Sequence, residues 1–157
     1  MTWSTDGYEV SDDRDRLDLG VVHAYLTRSY WSPGVPREVV ERAAAGSLAV
    51  GLYDAQGAQV GYARVISDRA TFAYVCDVYV LDELQNRGLG AWLMECLLAH
   101  PDLQSLRRWL LTTQTAHTFY ERLGFERCPF PERFMSIDRP DLYRARLGPE
   151  AGAPDAP

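Results

Sequence analysis

The chain has 157 residues, of which 46% are hydrophobic and 24% are charged, and these proportions are typical of a soluble, single-domain globular protein. Its formal net charge of −6 argues against a nucleic-acid partner, because phosphate binding needs a basic surface. No apolar run is long enough to span a membrane, no apolar signal segment opens the chain, and the three cysteines lack metal or redox spacing. We therefore expect a cytoplasmic protein with no metal site and no membrane partner.

The first half of the chain predicts one strand, two helices and a three-stranded meander. Apolar residues at three- and four-residue spacing favour the helices, whereas runs rich in β-branched and aromatic residues favour the strands. A proline in the first turn of the second helix and a glycine at its end are typical boundary residues. The expected elements are strand 8–10, a helix from Asp15, a helix from Pro36 to Gly46, and strands 47–53, 59–66 and 71–81.

The second half predicts helices and strands in alternation, followed by two strands and a tail. Gly124 is expected to end the last helix as a left-handed cap. The tail is rich in proline, glycine and alanine, a composition that favours flexibility. The expected elements are helix 88–99, strand 108–113, helix 115–123, strands 125–128 and 133–137, and the tail 147–157.

The predicted order, β-α-α-β-β-β-α-β-α-β-β, indicates an α+β fold with a mixed, mostly antiparallel central sheet and helices on both faces. We expect a single domain over residues 1–146. Strands 71–81 and 108–113 are joined through a helix, so they should lie parallel to each other. If these two parallel strands splay apart, the gap between them is a natural slot for a ligand.

A glycine-bearing loop at residues 85–90 connects the predicted central strand to the helix that follows. The first N–H groups of a helix lack internal partners and lie at the positive end of its dipole, so such a loop can hold a phosphate. Gly88 and Gly90 carry no Cβ atoms, and Arg87 adds a positive charge. The loop is neither a Walker A loop nor a dinucleotide fingerprint, since Leu93 occupies the third glycine position. The local pattern fits an anion site and an empty turn equally well.

A second motif lies in residues 112–125, and with the loop it carries a family resemblance. The loop matches the pattern Q/R-x-x-G-x-G/A, and the second segment matches A-x-x-x-Y-E-x-x-G-F. Together these motifs resemble those of the GNAT superfamily of N-acetyltransferases, over about residues 6–138. The matching residues are Gln85, Gly88 and Gly90 in the first motif, and Ala116, Tyr120, Glu121, Gly124 and Phe125 in the second.

The resemblance implies acetyl-CoA as the cofactor, held between the splayed strands. Its pyrophosphate would lie on the loop, its pantetheine arm would pair with the strand before the loop, and the Val80 N–H would bind the acetyl carbonyl. Thr113 stands where the family usually has asparagine, and His117 is either a nucleotide contact or a solvent-facing residue. The implied cofactor-binding residues are Val78, Tyr79, Val80, Gln85, Asn86, Arg87, Gly88, Leu89, Gly90, Ala91, Thr113 and His117.

The resemblance also implies that an amine attacks the thioester directly, without an acyl-enzyme. Tyr120 matches the tyrosine that protonates the leaving thiolate, a role that suits a phenol; the alternative is a core aromatic residue packed against Phe125. Asp77 is a carboxylate inside an apolar strand. It is either the general base or a structural anchor bonded to backbone or to an arginine, and a water chain could replace it as the base.

The expected substrate is a small-molecule amine. In the family the acceptor side is built by the first two helices, their connecting loop and the last strands, and aromatic residues there could line a pocket. The alternatives are ordinary loop packing for each residue, acetylation of a protein N-terminus or lysine, and a non-catalytic acyl-CoA-binding module. A homodimer is compatible with the sequence, since dimers are the commonest assembly. The candidate substrate residues are Tyr25, Tyr30, Trp31, Glu132 and Phe134.

Overall fold

Six strands form one mixed sheet in the computed structural model of the protein, which describes residues 1–143. The strands lie in the sheet in chain order, and neighbours are antiparallel except for the last pair, which is parallel. The strands are β1 (Thr2–Thr5), β2 (Tyr8–Ser11), β3 (Leu48–Tyr53), β4 (Gln59–Ser67), β5 (Phe72–Val80) and β6 (Arg108–Leu110).

The described part of the chain also contains four α-helices, and one of them makes the crossover between the two parallel strands. Two parallel strands begin at the same end of the sheet, so the chain must cross back to that end between them, and a helix makes this crossover. Within residues 1–143, no helix combines the length and the apolar character that crossing a membrane requires. The helices are α1 (Leu19–Leu26), α2 (Arg37–Ala45), α3 (Leu89–Leu98) and α4 (His117–Arg122).

The chain divides into two units. The first contains residues 1–18 and 43–126, and therefore the whole sheet together with α3 and α4. The second contains residues 19–42 and 127 onward, and therefore α1, most of α2 and the C-terminal segment.

The core of the first unit lies between α3 and the sheet. Leu93, Met94 and Leu97 recur at helical spacing and are fully buried, and α3 packs against β4 and β5. Val65 of β4 and Val75 of β5 belong to the same apolar cluster. Full burial of one such side chain stabilises the fold by about 2 kcal/mol, so this face fixes α3, and with it the loop that precedes α3, on the sheet.

The predicted fold class is confirmed: the sheet is mostly antiparallel, and β5 and β6 are its parallel pair. The meander, the crossover helix and the last helix lie where the sequence predicts them, within a few residues. Gly124 has a φ of 90°, as expected for a left-handed cap. The predicted tail 147–157 lies outside the described residues.

The structure differs from the prediction in three regions. The sequence prediction misses β1, although Asp6-Gly7, with φ angles of 34° and 81°, is a typical tight hairpin turn. The first helix begins at Leu19 rather than near Asp15, because residues 14–16 form a separate 3₁₀ turn. The last two strands are wrong: of the described residues, 125–128 and 133–137 belong to no strand. Pro131 lacks a donor N–H and opens a 3₁₀ turn instead.

Candidate active site

The two parallel strands separate after three paired residues. The pairs join Phe72 to Arg108, Ala73 to Trp109 and Tyr74 to Leu110, after which β6 ends whereas β5 continues to Val80. The edge of residues 75–80 that faces away from β4, called the open edge below, therefore lies beyond the reach of β6. The hydroxyl groups of Tyr74 and Thr112 are hydrogen-bonded at 2.9 Å where the separation begins.

The backbone of Val80 is directed toward this open edge. The Leu81 N–H donates to the Val60 carbonyl on β4 at 2.9 Å. Because backbone groups alternate in direction along a strand, the Val80 N–H and carbonyl point the opposite way, away from β4. The carbonyl accepts a hydrogen bond from Gln85 Nε2 at 3.2 Å, whereas the N–H is available to an extended ligand lying along the edge.

The loop after β5 is held by the side chain of Gln85. In addition to its bond with Val80, Gln85 Nε2 donates to Asp82 Oδ1 at 3.1 Å, so both protons of the amide are used within the loop. The Gln85 backbone N–H donates to the Asp82 carbonyl at 3.3 Å. Gln85 therefore fixes the loop onto the end of β5, a task that the sequence pattern does not reveal.

The first backbone N–H groups of helix α3 come before the first hydrogen bond within the helix. The first bond of the ladder runs from the Trp92 N–H to the Gly88 carbonyl at 3.0 Å, so the N–H groups of Leu89, Gly90 and Ala91 lie before it. The Leu89 side chain is buried in the core, which leaves its backbone as the part that a ligand can meet. These donors lie at the positive end of the helix dipole and suit an anion.

Position 88 favours glycine because of its backbone conformation, and not because a side chain there would clash with neighbouring atoms. Its φ of 81° lies in the left-handed region, and a Cβ atom built on it would meet nothing within 4 Å. Asn86 also has a positive φ, 61°, and Asn86 and Arg87 are exposed. At Gly90 a Cβ would touch the Phe119 ring at 3.8 Å, an ordinary contact. The open space at Gly88 and the exposed Arg87 guanidinium leave room and positive charge for an anionic group.

Tyr120 lies on α4 in a half-buried aromatic cluster. Its ring is edge-on to Phe119, with centroids 4.9 Å apart, and edge-on to Phe125, with centroids 5.8 Å apart. The Phe125 N–H donates to the Tyr120 carbonyl at 3.1 Å, which fixes the turn after α4. The contact with Phe125 is the one that a core role predicts, and half-burial leaves part of the residue accessible to a reactant.

Thr113 and His117 lie at the two ends of the turn that precedes α4. Thr113 Oγ1 accepts a hydrogen bond from the Ala116 N–H at 3.0 Å, so its hydroxyl caps this turn. His117 is the first residue of α4 and is half-buried. Thr113 thus supports the backbone that carries His117 and Tyr120.

Asp77 forms an ion pair with Arg64 of the neighbouring strand. Asp77 Oδ2 accepts the Arg64 Nε–H at 2.5 Å, and the two side chains are only 11% and 14% exposed. Burial, the largest single effect, lowers the pKa of the Arg64 guanidinium, but the charge and hydrogen bond of Asp77, together with Cys76 and Tyr62, outweigh it and raise that pKa above its usual value. This is the contact that the anchor interpretation of Asp77 expects; a role as general base stays a prediction.

The candidate substrate residues all lie in the second unit, and three of them form one aromatic cluster. The Trp31 ring is 5.0 Å from Tyr30 and 6.4 Å from Tyr25 between centroids. Tyr30 and Trp31 are 45% and 39% exposed, which is unusual for large aromatic side chains. Glu132 and Phe134 are exposed on the segment around a 3₁₀ turn.

Two contacts of the site have no local signature in the sequence. An arginine partner for Asp77 is one of the expected alternatives, but the sequence does not indicate that this partner is Arg64, which lies 13 residues away on the neighbouring strand. The bond between Tyr74 and Thr112 joins residues 38 positions apart and has no local signature.

Two sequence comparisons relate this chain to acetyltransferases. The family described as the acetyltransferase (GNAT) domain matches residues 45–127, which is more than half of the chain. A candidate acetyltransferase of Gibberella zeae is 31% identical over 149 residues, covering 80% of this chain and 83% of that protein.

Solved structures agree with the sequence comparisons. The crystal structure of a candidate GNAT-family acetyltransferase from Xanthomonas campestris pv. campestris is 44% identical, covers 89% of this chain and 99% of its own, and has a TM-score of 0.85. A candidate acetyltransferase from Deinococcus radiodurans R1 is 22% identical, covers 99% of this chain and 100% of its own, and has a TM-score of 0.70, so it is similar in fold.

Proposed function

This chain belongs to the GNAT family of acetyltransferases, and we propose that it transfers an acetyl group from acetyl-CoA to the nitrogen of a small-molecule amine. The proposal includes direct attack by the amine within a ternary complex. One observation carries it: the Val80 N–H lies on an edge that β6 leaves unpaired, and the same strand is followed, after a 3₁₀ turn and the glycine loop, by the N–H groups that open α3.

Acetyl-CoA, when bound, supplies an acetyl group activated as a thioester. The backbone of residues 78–80 would pair with its extended arm, and the N–H groups of residues 88–91 would bind its pyrophosphate. Arg87 is exposed beside these donors and would add a positive charge. The Val80 N–H would stabilise negative charge on the acetyl oxygen, an interaction that strengthens during the reaction.

Tyr120 is the proposed proton donor, holding a proton on its phenol oxygen for the leaving sulfur. A phenol with an ordinary pKa of about 10 is protonated at neutral pH and can donate to a thiolate. The rings of Phe119 and Phe125 hold the Tyr120 side chain from two sides, and this restricts its orientation.

A small amine is the proposed acceptor because exposed aromatic rings suit such a ligand. Tyr30 and Trp31 offer ring faces and edges that attract an ammonium or pack against an organic ring. The net charge of −6 also disfavours an acceptor carried on a nucleic acid.

The test is amine-dependent release of free CoA thiol, measured over a panel of small amines with the wild type and Tyr120→Phe. We expect turnover with at least one amine and a loss of about 10²-fold in kcat for the variant, the scale of general acid catalysis. Tyr8→Phe, a hydroxyl deletion on β2, is the matched control and should keep wild-type turnover.

Two outcomes would contradict this function. Acetyl-CoA binding without transfer to any amine would instead favour a non-catalytic acyl-CoA-binding module. Turnover of Tyr120→Phe equal to that of the wild type at every pH would remove Tyr120 from the chemistry.

A further inference from the structure

We propose that Arg64 and Asp77 are a pair of positioning residues, whose contact fixes a bulge in β5 and thereby directs the Val80 N–H at the open edge. The inference rests on the proposed function, since it assigns these two residues to the acetyl-CoA-binding edge of that same site. It also gives Asp77 a role other than that of general base.

The bulge is visible in the pairing of β4 with β5. Tyr62 is opposite Tyr79, but Arg64 is opposite Cys76, so Ala63 alone faces two residues of β5. These two residues are Asp77 and Val78. One extra residue is therefore inserted into β5 at Asp77, in the middle of the strand.

The inserted residue reverses the alternation of β5 beyond it. Before the bulge, Ala73 and Val75, at odd positions, contribute to the apolar core; after it, Val78 and Val80, at even positions, contact the same core. A shift of one residue exchanges the faces of all later side chains and the directions of their backbone groups. The bulge therefore determines that Val80 packs inward and that its N–H points away from β4.

Asp77 occupies a backbone conformation that needs support. Its φ of 53° lies in the left-handed region, which residues other than glycine rarely adopt and which aspartate and asparagine tolerate best. The side chain is held there by the Arg64 Nε–H at 2.5 Å. The ion pair thus connects the bulged residue directly to the residue that flanks the bulge on β4.

A third side chain, that of Ser47 just before β3, completes the arrangement. Arg64 Nη1 donates to Ser47 Oγ at 3.1 Å, and Ser47 Oγ donates in turn to the Ala43 carbonyl at 2.7 Å. The guanidinium is therefore fixed on both sides, by Ser47 and by Asp77. Because the pair is largely buried, removal of either partner leaves a charge with little water to solvate it.

The test compares Arg64→Ala, Asp77→Ala, their double variant and Asp77→Asn with the wild type. We would measure the Kd of acetyl-CoA by calorimetry, the thermal midpoint, and amide hydrogen exchange of residues 79–81. We expect each alanine variant to weaken binding about tenfold or more, because a small misplacement of a binding group is costly. The Kd of the double variant should be within about twofold of the Kd of whichever single variant binds more weakly, since the two residues act as one unit.

Asp77→Asn is the conservative variant. Asparagine tolerates a positive φ and keeps an oxygen that can accept the Arg64 Nε–H, so it should recover at least half of the lost affinity on a logarithmic scale. Amide exchange at residues 79–81 should accelerate in the alanine variants, whether or not acetyl-CoA is present. Val50→Ala, a fully buried change on β3, is the control for lost stability and should lower the thermal midpoint without changing these readouts.

Two results would overturn the inference. If Kd and amide exchange in the alanine variants match those of Val50→Ala, the pair only stabilises the fold. If Asp77→Asn loses turnover as completely as Asp77→Ala and also loses the rising limb of the pH–rate profile, Asp77 is the general base. A wild type that does not bind acetyl-CoA would contradict the proposed function instead, while amide exchange in Arg64→Ala would still test the bulge.

Discussion

The side-chain amide of Gln85 donates to the Val80 carbonyl at 3.2 Å and joins the start of the glycine loop to the last residue of β5. Val80 is thus held from one side by the sheet and from the other by the loop that follows it. The same amide reaches Asp82 Oδ1, so the loop is also tied to itself. Through these two bonds, one glutamine keeps the strand end and the helix start in a fixed relation.

Replacement of Gln85 by methionine should weaken acetyl-CoA binding about tenfold, which corresponds to about 1.4 kcal/mol. A neutral hydrogen bond contributes about 1 kcal/mol and one to a carboxylate somewhat more, and methionine keeps the length of the side chain but loses both donors. Calorimetric titration measures the change. Gln104→Met is the matched control, because Gln104 Nε2 donates to the Leu98 and His100 carbonyls near the other end of α3. Equal affinity of the two variants would contradict the role of Gln85.

Thr113→Val should lower the free energy of unfolding by about 1 kcal/mol, because it removes the hydroxyl that caps the Ala116 N–H. Thr113→Ser and Thr113→Asn keep an acceptor oxygen and should remain close to the wild type. Urea denaturation measures the difference. Thr118→Val is the matched control, because Thr118 is exposed on α4 and does not cap this turn. A stability of Thr113→Val equal to that of Thr118→Val would show that the cap contributes nothing.

Asp68, in the turn between β4 and β5, should make the folding stability of the protein depend on pH. Hydrogen bonds from the Thr71 hydroxyl and from the N–H groups of Thr71, Ala70 and Phe72 lower the pKa of Asp68 well below its usual value. A lowered folded-state pKa adds stability that is present above about pH 4 and is lost as pH falls toward the folded-state pKa.

Asp68→Asn should therefore lower the thermal midpoint at pH 7, and its difference from the wild type should narrow as the pH falls from about 4 to 2.5. Thermal scans from pH 7 to 2.5 measure this narrowing. Asp15→Asn, an equal change of charge in another exposed segment, is the control. Parallel curves for the wild type and Asp68→Asn over the whole range would contradict the expected linkage.

Local patterns were sufficient to predict the framework of the site. The meander, the loop and α3 follow from strand composition, a pair of glycines and helical spacing, all of which are readable within about 15 residues. The hairpin turn at Asp6-Gly7 was equally local, and β1 could have been found from it.

Features that depend on distant partners could not be predicted. The bulge at Asp77 exists because Arg64 and β4 hold it, and a strand read alone gives a regular alternation through Cys76, Asp77 and Val78. The two predicted C-terminal strands are wrong because residues 125–128 and 133–137 pair with no strand of the sheet, and a run of suitable residues does not by itself supply a pairing partner. The sequence likewise identified Thr113 without revealing that its hydroxyl binds the Ala116 N–H.

The most direct test of the proposed acetyl-CoA site is a calorimetric titration of acetyl-CoA into the wild type, Gly88→Glu and Gly57→Glu. Gly88 and Gly57 have φ angles of 81° and 80°, and a Cβ on either meets nothing within 4 Å, so both variants carry the same backbone strain. Only Gly88 lies at the start of α3, where a carboxylate would repel a pyrophosphate. We predict tight binding by the wild type and Gly57→Glu, and at least tenfold weaker binding by Gly88→Glu. Absence of binding by the wild type, or equal binding by both variants, would contradict a pyrophosphate site at this loop.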